Sequence, residues 1–515
     1  MCILTNKNLF CYDYDTKEHK MCFEKKYKRV KIHKSDEFSK KILSQNQKEE
    51  KRMKRKKVKQ LLAMMGSLML TFSLLGCQGE TESSSSGEVA TQQDSETEDT
   101  VEGEKTKISF MGWGTDAEIA TFTAMIEQFE EAYTDVEVEY IVVADSEFDT
   151  KLQTMIGSGE CPDVFYCSID NMMKYAATGN LYDLTDYFGN NEIFDPENIW
   201  DCLVDLYRYD GEQQGQGNIY AMPKDVSAFP IFYNVELFQQ AGVTPPTEEN
   251  PWDWNDFLEA AKKLTGGEGD EKIYGTGSYS LESAIWSNGG EWVDQETLTQ
   301  VMITEPEFVE ALQWVADLAL VHGVAPSPQE QTALSDADRF KQGKLAMVGA
   351  GTWSLGDFWA NCDFEWDVMP WPVSPTTGET EIWFGSAGLA VSATTEHAEA
   401  ACNLAAYLAF NEDAQRTAYT NGQAIPTLKD MAYGEYTEFE KAPASKYVLF
   451  DMLENSARLA TQSRTFNQEW FAEFNSNTAA VYNGEMTAKD YCESISDRVQ
   501  ELLDESIALK AEYAQ

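Results

Sequence analysis

Basic residues and histidine are scarce in this sequence of 515 residues, which contains 40 Lys and Arg against 87 Asp and Glu. The imbalance is largest in residues 61–515, with 21 Lys and Arg against 79 Asp and Glu. So acidic a surface repels phosphate backbones and anionic membrane surfaces, which excludes nucleic acid as a partner. His322 and His397 are the only histidines beyond residue 60, and their wide separation argues against a His-based zinc site.

Motifs of the common enzyme classes are also absent. The sequence has no GxSxG, Walker, HExxH or strand-associated GxGxxG motif. A glycoside hydrolase needs two carboxylates at a defined separation, and a sequence this acidic does not single out such a pair. We therefore expect no catalysis, no metal and no cofactor, with a polysaccharide-active surface hydrolase as an alternative.

Long apolar runs are missing too, and the uncharged run at residues 61–76 is shorter than the roughly 20 residues that a membrane span needs. It follows a basic segment at residues 53–57, an order typical of a secretory signal peptide. Its end, Leu74-Leu75-Gly76-Cys77, resembles the bacterial lipobox, in which the Cys is acylated. We predict a signal peptide at residues 53–76 and lipidation of Cys77. A plain signal peptide is the alternative, and Met53 is the expected start, downstream of a basic segment at residues 1–52.

The segment after Cys77 has the composition of a flexible tether. Residues 78–104 contain nine acidic residues and no Lys, Arg or aromatic residue, so they cannot bury apolar surface. Residues 77–105 are therefore predicted to hold the following globular part near a membrane through the lipid alone. That part contains six Cys without a CxxC spacing, which leaves their pairing open.

The globular part begins with an α/β pattern. Ile108 and Phe110 alternate as in a strand, helical spacing follows, and residues 136–142 predict a second, parallel strand. Because ligands gather at the carboxyl ends of parallel strands, the turn at residues 112–116, with Trp113 and Asp116, is a candidate binding element. Further along, Asn255 and Asp256 are predicted to cap a helix that ends near Leu264.

Many short motifs in a fixed order resemble the family 1 extracellular solute-binding proteins of ABC sugar importers. They include Gly112-Trp113-Gly114, Pro162-Asp163-Val164, Tyr220-Ala221-Met222-Pro223, Phe340-Lys341-Gln342-Gly343-Lys344 and Gly351-Thr352-Trp353. The resemblance implies an α/β fold of the type II periplasmic-binding-protein kind, with two lobes around a cleft and hinge strands between them. It places lobe 1 at residues 106–225 and 386–440, and lobe 2 at residues 226–385 and 441–515.

The same resemblance implies a set of ligand-binding residues. Sugar rings stack on aromatic side chains and their hydroxyls pair with carboxylates and amides, which fits these residue types. For any single Trp, core packing is the competing interpretation, as for Trp286 and for Trp470, where the similarity is loose. The implied residues are Trp113, Asp116, Asp170, Asn171, Lys224, Asp225, Ser227, Tyr279, Trp286, Trp353, Trp383, Gly385, Ser386 and Trp470.

The resemblance implies a monomeric lipoprotein that captures a neutral oligosaccharide on the extracellular face of the bacterial cell membrane. The protein then delivers this sugar to two membrane permease subunits, which a separate ATPase drives. Cys167 and Asn171 stand where maltodextrin-binding members carry a stacking Trp and a basic residue, which argues against plain maltodextrin. The alternatives are a polyamine or another non-sugar solute, and a lipoprotein that holds polysaccharide without an importer; an anionic ligand would need basic residues.

Overall fold

The computed structural model describes residues 2–5, 8–11, 105–191, 193 and 195–513. The chain divides into two compact units, residues 1–99 and residues 100–515. In the first unit, strands β1 (Cys2–Thr5) and β2 (Asn8–Cys11) form an antiparallel pair. The predicted signal peptide, Cys77 and the tether up to residue 104 lie outside the described residues.

The second unit contains a five-stranded sheet with the order β4-β3-β5-β13-β8. Strands β3 and β4 are parallel, as the sequence predicts, and β5 extends the parallel pairing, whereas β13 runs antiparallel to β5 and β8. The first three strands of this unit are β3 (Thr106–Gly112), β4 (Val136–Val142) and β5 (Val164–Ser168). The later ones are β6 (Arg208–Tyr209), β7 (Asn218–Ile219), β8 (Ala221–Pro223), β9 (Ile231–Asn234), β10 (Met347–Gly349), β11 (Trp366–Met369), β12 (Ile382–Trp383), β13 (Ala387–Val391) and β14 (Ala457–Arg458).

Helices account for most of the remaining described residues. The first half of the unit contains α1 (Asp116–Ala132), α2 (Asp145–Ser158), α3 (Ile169–Ala177), α4 (Thr185–Gly189), α5 (Asp201–Val204), α6 (Val235–Ala241), α7 (Trp254–Leu264) and α8 (Leu281–Ser287). The second half contains α9 (Pro306–Leu320), α10 (Pro328–Ala333), α11 (Asp336–Lys341), α12 (Leu355–Asn361), α13 (Ala398–Phe410), α14 (Glu412–Thr420), α15 (Lys429–Met431), α16 (Lys446–Asp451), α17 (Glu469–Asn477), α18 (Ala479–Tyr482) and α19 (Ala488–Tyr513).

Two hydrophobic clusters form the interior of this unit. The first surrounds the five-stranded sheet, and the second is built largely from helices α7, α9, α17 and α19. The antiparallel sheet β10-β9-β11 contributes to both: Phe232 packs in the first cluster, while its neighbours Ile231 and Tyr233 pack in the second. Since successive side chains of a strand point to opposite faces, this sheet has one cluster on each face. The residue boundaries of the two lobes stay a prediction.

The helix predicted after Asn255 starts earlier than the sequence suggests. Helix α7 begins at Trp254, and its cap is Asp253, whose carboxylate accepts from the backbone N–H groups of Asn255 and Asp256. The capping prediction was therefore wrong in position by two residues. Asp253, Asn255 and Asp256 are all good capping residues, and the deciding feature is the burial of Trp254 in the second cluster, which places it inside the first turn.

The six cysteines within residues 105–513 are free: Cys161, Cys202 and Cys362 are half-buried, and Cys167, Cys402 and Cys492 are buried. Within residues 105–513, as far as these are described, no group of three or more His, Cys, Asp or Glu side chains is arranged to hold a metal ion. In the described part of the chain, no helix combines the length and the apolar character required to cross a membrane.

Replacing Gly422 by Ala should destabilise the protein by about 1–3 kcal/mol, because this glycine has a φ of +78° and a Cβ there would lie 2.5 Å from the backbone N of Gly356. Urea unfolding measures the change. Gly159 is the matched control, since its φ is +77° but a Cβ would meet nothing within 4 Å. Gly159→Ala should cost less, about 1 kcal/mol, and equal losses would refute the contribution of the backbone contact.

Candidate ligand-binding cleft

Two extended chain segments pair beside the candidate cleft. Ser227 and Gly385 exchange backbone hydrogen bonds, with N···O distances of 2.8 and 2.9 Å. Lys224 N donates to Ala387 O at 2.9 Å, and the Asp225 carboxylate accepts from Ala387 N at 3.1 Å. Both segments, which contain the lobe boundaries implied at residues 225/226 and 385/386, are therefore held together by main-chain and side-chain bonds.

A cavity of about 640 Å³ lies on one side of this pair; we call it the Trp353 cavity. Trp353 is 46% exposed, which is unusual for an indole and leaves its ring accessible in the cavity wall. It follows strand β10 in the glycine-containing turn from which the sequence predicts a ligand contact. The cavity is lined by Trp113, Gly114, Thr115, Glu118, Asp145, Lys224, Asp225, Ser227, Trp353, Trp383, Gly385, Ser386, Ala387 and Gln423.

The aromatic rings of this wall support one another. The ring centroids of Trp353 and Trp383 are 5.9 Å apart with an interplanar angle of 79°, and Phe229 lies 6.2 Å from Trp353 and 5.7 Å from Trp383. Trp113 packs edge-on against Phe148 and Tyr166, so its ring is half-buried. These contacts hold the indoles in place before any ligand arrives, which reduces the entropy lost on binding.

Gly385 leaves the space that the two indoles occupy. A Cβ at this position would lie 2.9 Å from the Trp383 ring and 3.4 Å from the Trp353 ring. A larger residue would push both rings out of their positions. Gly385 therefore contributes to the site by allowing the rings to approach the backbone.

Lys224 is the centre of a buried ion cluster at the floor of the cavity. Its side chain is 4% exposed and pairs with Asp225 and, at 3.4 Å, with Glu118. The ammonium group also lies 5.0 Å from the centroid of Tyr166 and 5.2 Å from that of Phe122. Burial by itself would lower the pKa of Lys224, but Asp225 and Glu118 outweigh it and the pKa is raised, so the lysine is held charged.

Ser386 continues this network on the second segment. Its hydroxyl donates to the Asp225 carbonyl at 2.8 Å and accepts from the Tyr207 hydroxyl at 3.2 Å. Ser227 is buried and contacts its neighbours through the main chain described above. The polar groups of the hinge pair therefore satisfy one another, and both carboxylate oxygens of Asp225 accept hydrogen bonds, one from Lys224 and one from the backbone N–H of Ala387.

A second cavity of about 440 Å³, which we call the Asp170 cavity, shares Trp383 and Ser386 with the first. Asp170 lies in the first turn of helix α3, where the helix dipole favours a carboxylate, and it accepts a hydrogen bond from the Ser463 hydroxyl. Ser463 belongs to a further segment, residues 457–464, that the sequence does not indicate as part of the site. The lining residues are Ser168, Ile169, Asp170, Phe229, Ser278, Tyr279, Ser280, Glu282, Gly349, Trp383, Ser386, Ala460, Gln462 and Ser463.

Tyr279 and Glu282 close the Asp170 cavity on the side of helix α8. Tyr279 is 4% exposed, its ring is 4.5 Å from that of Trp371, and burial raises the pKa of its hydroxyl. Burial likewise raises the pKa of the Glu282 carboxyl, against the opposing effect of local hydrogen bonds. Tyr279, just before helix α8, thus contributes a buried aromatic ring, and Glu282 in the helix contributes a carboxyl group with a raised pKa.

Four residues implied by the resemblance do not line either cavity in this structure. Asp116 is exposed at the start of helix α1, and Asn171 donates to Ser168 Oγ at 3.1 Å. Trp286 is buried with Arg458 4.8 Å from its ring centroid. Trp470 is fully buried in the second cluster, and its indole N–H donates to Thr465 Oγ1 at 3.0 Å. Trp286 and Trp470 therefore pack in the hydrophobic interior of the structure.

Several cavity residues were missed by the sequence reasoning. Glu118 and Asp145 lie at or near the starts of helices α1 and α2, and Phe229 lies just before strand β9. Gln462 and Ser463 lie in a short 3-10 helix, Thr461–Arg464. Glu118 stands two residues beyond a turn that the sequence did indicate, so extending that element by half a helical turn would have found it. The other four carry no signal in a single sequence.

Strands, helices and cleft together define a two-lobed ligand-binding fold of the kind seen in periplasmic solute-binding proteins. A family model described as bacterial extracellular solute-binding protein matches residues 113–415, and the chain belongs to this family. An arabinooligosaccharide-binding protein of Halalkalibacterium halodurans is 26% identical over 227 residues, which cover 43% of this chain and 48% of that protein. An uncharacterized lipoprotein of Streptomyces antibioticus is 28% identical over 157 residues, 30% of this chain and 32% of that protein.

The chain thus spans about half or less of the length of these two curated relatives. Among solved structures, an ABC substrate-binding protein from Listeria monocytogenes in complex with cycloalternan superposes with a TM-score of 0.68. It is 28% identical and aligned over its full length, and the alignment covers 78% of this chain. The predicted fold class and the family resemblance are confirmed.

Proposed function

We propose that this protein is the substrate-binding component of an ABC importer. In this proposal it captures an oligosaccharide in the cleft formed by the Trp353 and Asp170 cavities. The observation that carries this proposal is the exposed indole of Trp353, beside Trp383 and above a floor of carboxylates. An exposed ring next to hydrogen-bonding acceptors matches the flat C–H faces and the hydroxyls of a pyranose.

The relatives support the same ligand class. The protein from H. halodurans is named for arabinooligosaccharide binding, and the structure from L. monocytogenes contains cycloalternan. The two cavities share Trp383 and Ser386, and their volumes of about 640 and 440 Å³ together exceed the space that one sugar ring fills. We propose an oligosaccharide rather than a monosaccharide for this reason.

Ligand capture in this fold requires closure of the two lobes. A ligand favours the closed state only by the contacts it gains in that state, so it must touch residues of both lobes. Under the predicted boundaries, Asp170 belongs to lobe 1 and both Trp353 and Tyr279 to lobe 2. The hinge pair at Ser227 and Gly385 lies between them and is the proposed pivot.

Lipidation at Cys77, delivery to a permease with a separate ATPase, a monomeric state and the absence of catalysis belong to the same proposal. The lipobox-like sequence Leu74-Leu75-Gly76-Cys77 and the lipoprotein relative from S. antibioticus support the lipid attachment. A position on the extracellular face of the membrane follows from export by the predicted signal peptide. The lipid alone would hold the protein there, since the acidic tether is not itself attracted to anionic lipids.

A thermal-shift screen of the purified protein tests the proposal. The compounds are neutral and amino oligosaccharides, monosaccharides, a polyamine and a glycerol phosphate. A ligand at 100 times its Kd should stabilise the folded state by about 2.7 kcal/mol, which raises the melting temperature measurably. We expect oligosaccharides to raise the melting temperature and to be recovered intact by chromatography afterwards. Cleaved sugar would identify a hydrolase instead, and a shift with the polyamine alone would replace the ligand class.

A further inference from the structure

The cleft has a pronounced excess of negative charge. The residues that line its two cavities include five carboxylates, those of Glu118, Asp145, Asp170, Asp225 and Glu282, but one basic side chain. That side chain, Lys224, already pairs with two of the five. Within the described residues, the other three form no salt bridge.

These three carboxylates occupy positions that keep them available. Asp145 and Asp170 are in the first turns of helices α2 and α3, at the positive ends of the helix dipoles. Glu282 is in the first turn of helix α8, beside Asp170 in the same cavity. No cationic residue contributes to the raised pKa of Glu282, which is caused by burial. A positive charge from the ligand would return this carboxyl to its ionised form.

Aromatic rings line the same cavity. Tyr279, Phe229 and Trp383 all contribute to its wall, and Phe229 stacks parallel to Trp371 with a centroid distance of 6.2 Å. Carboxylates combined with aromatic faces bind ammonium groups, since the negative face of a ring attracts a cation. Within the described residues, neither Asp170 nor Glu282 forms a salt bridge, so a protonated amino group of the ligand would supply the counter-charge that this cavity lacks.

We propose that the oligosaccharide is cationic: it carries at least one protonated amino group, which binds in the Asp170 cavity between Asp170, Glu282 and the aromatic wall. This inference rests on the proposed function, because it names the class of sugar for the same cleft. It replaces the neutral sugar that the sequence led us to expect.

Isothermal titration of the full protein distinguishes the possibilities. The probes are a β-1,4-linked glucosamine trisaccharide, the same trisaccharide with every amino group acetylated, maltotriose and spermidine. Acetylation removes the charge and keeps the sugar skeleton. We expect the glucosamine trisaccharide to bind at least about tenfold more tightly than the acetylated one, and to lose more affinity as salt is added.

Equal or tighter binding of the acetylated trisaccharide or of maltotriose would overturn this inference and leave the proposed function intact. Binding of spermidine with no binding of any sugar would overturn both. Binding of the glucosamine trisaccharide together with spermidine, but with spermidine at least tenfold weaker, would support the inference, because the sugar skeleton then adds affinity.

Two variants test whether the amino group of the ligand binds in the Asp170 cavity. Asp170→Asn and Glu282→Gln should each reduce the affinity for the glucosamine trisaccharide by about tenfold and narrow its advantage over the acetylated form. Glu249→Gln removes the same charge from an exposed loop outside the cleft and should change neither. Should Asp170→Asn fail to fold, Glu282→Gln alone decides. Unchanged selectivity in a folded cleft variant would overturn the assignment.

Discussion

Replacing Trp353 by Ala is expected to weaken ligand binding by about 2–3 kcal/mol, or roughly 30- to 150-fold in Kd. The indole is 46% exposed, lies in the cavity wall and is held by contacts with Trp383 and Phe229. Because nearly half of its surface is already exposed in the unliganded protein, the free energy of unfolding without ligand should change by less than about 1 kcal/mol. Titration calorimetry with a sugar found by the thermal-shift screen and urea unfolding measure the two quantities.

Trp470→Ala is the matched control, since the same residue type is replaced. Trp470 is fully buried and packs near Trp292 and Phe471, so its removal leaves a cavity in the second cluster. We expect a loss of about 3–5 kcal/mol in the free energy of unfolding. At a temperature where Trp470→Ala remains folded, its affinity for sugar should be close to that of the unchanged protein. A large loss of stability in Trp353→Ala would show that Trp353 is a core residue.

Replacing Lys224 by Met is expected to lower the free energy of unfolding by about 3–5 kcal/mol, because two largely buried carboxylates lose their counter-charge. The side chains of Glu118 and Asp225 are each 14% exposed. Lys107→Met is the control: its pair with Glu137 is exposed, at 73% and 52%, and should contribute at most about 1 kcal/mol. Equal losses in the two variants would contradict this account of the cluster.

The pH dependence of the same cluster has a defined sign. The folded-state pKa of Lys224 is raised above its ordinary value of 10.5, so its contribution to stability is fully present below pH 10.5. This contribution is lost as the pH rises through the folded-state value. As the pH rises above about 10, the free energy of unfolding should therefore fall less for Lys224→Met than for the unchanged protein, over the range in which both are folded.

Adding Glu118→Gln and Asp225→Asn to Lys224→Met should restore part of the stability, as the uncompensated charges are then removed.

Several residues of the cleft could be predicted from the sequence because they follow the end of a strand or lie in a glycine-rich turn. Trp113, Trp353 and Trp383 all line the Trp353 cavity, and Asp170 lines the adjoining one. Trp286 and Trp470 share their residue type but lie in the interior. An aromatic residue suits a sugar site and a core equally well, and only the direction of the side chain separates the two.

The amino-acid sequence by itself determined the acidic character of the chain, its α/β pattern and, through many motifs in order, its family. Such features are local or additive, so they can be read along one chain. Only the tertiary structure decided that Ser463 meets Asp170, that Glu118 and Asp225 share Lys224, and that five carboxylates collect around a single basic side chain in one cleft. These contacts join residues as many as 293 positions apart, and the packing of the two clusters, rather than any local pattern, brings them together.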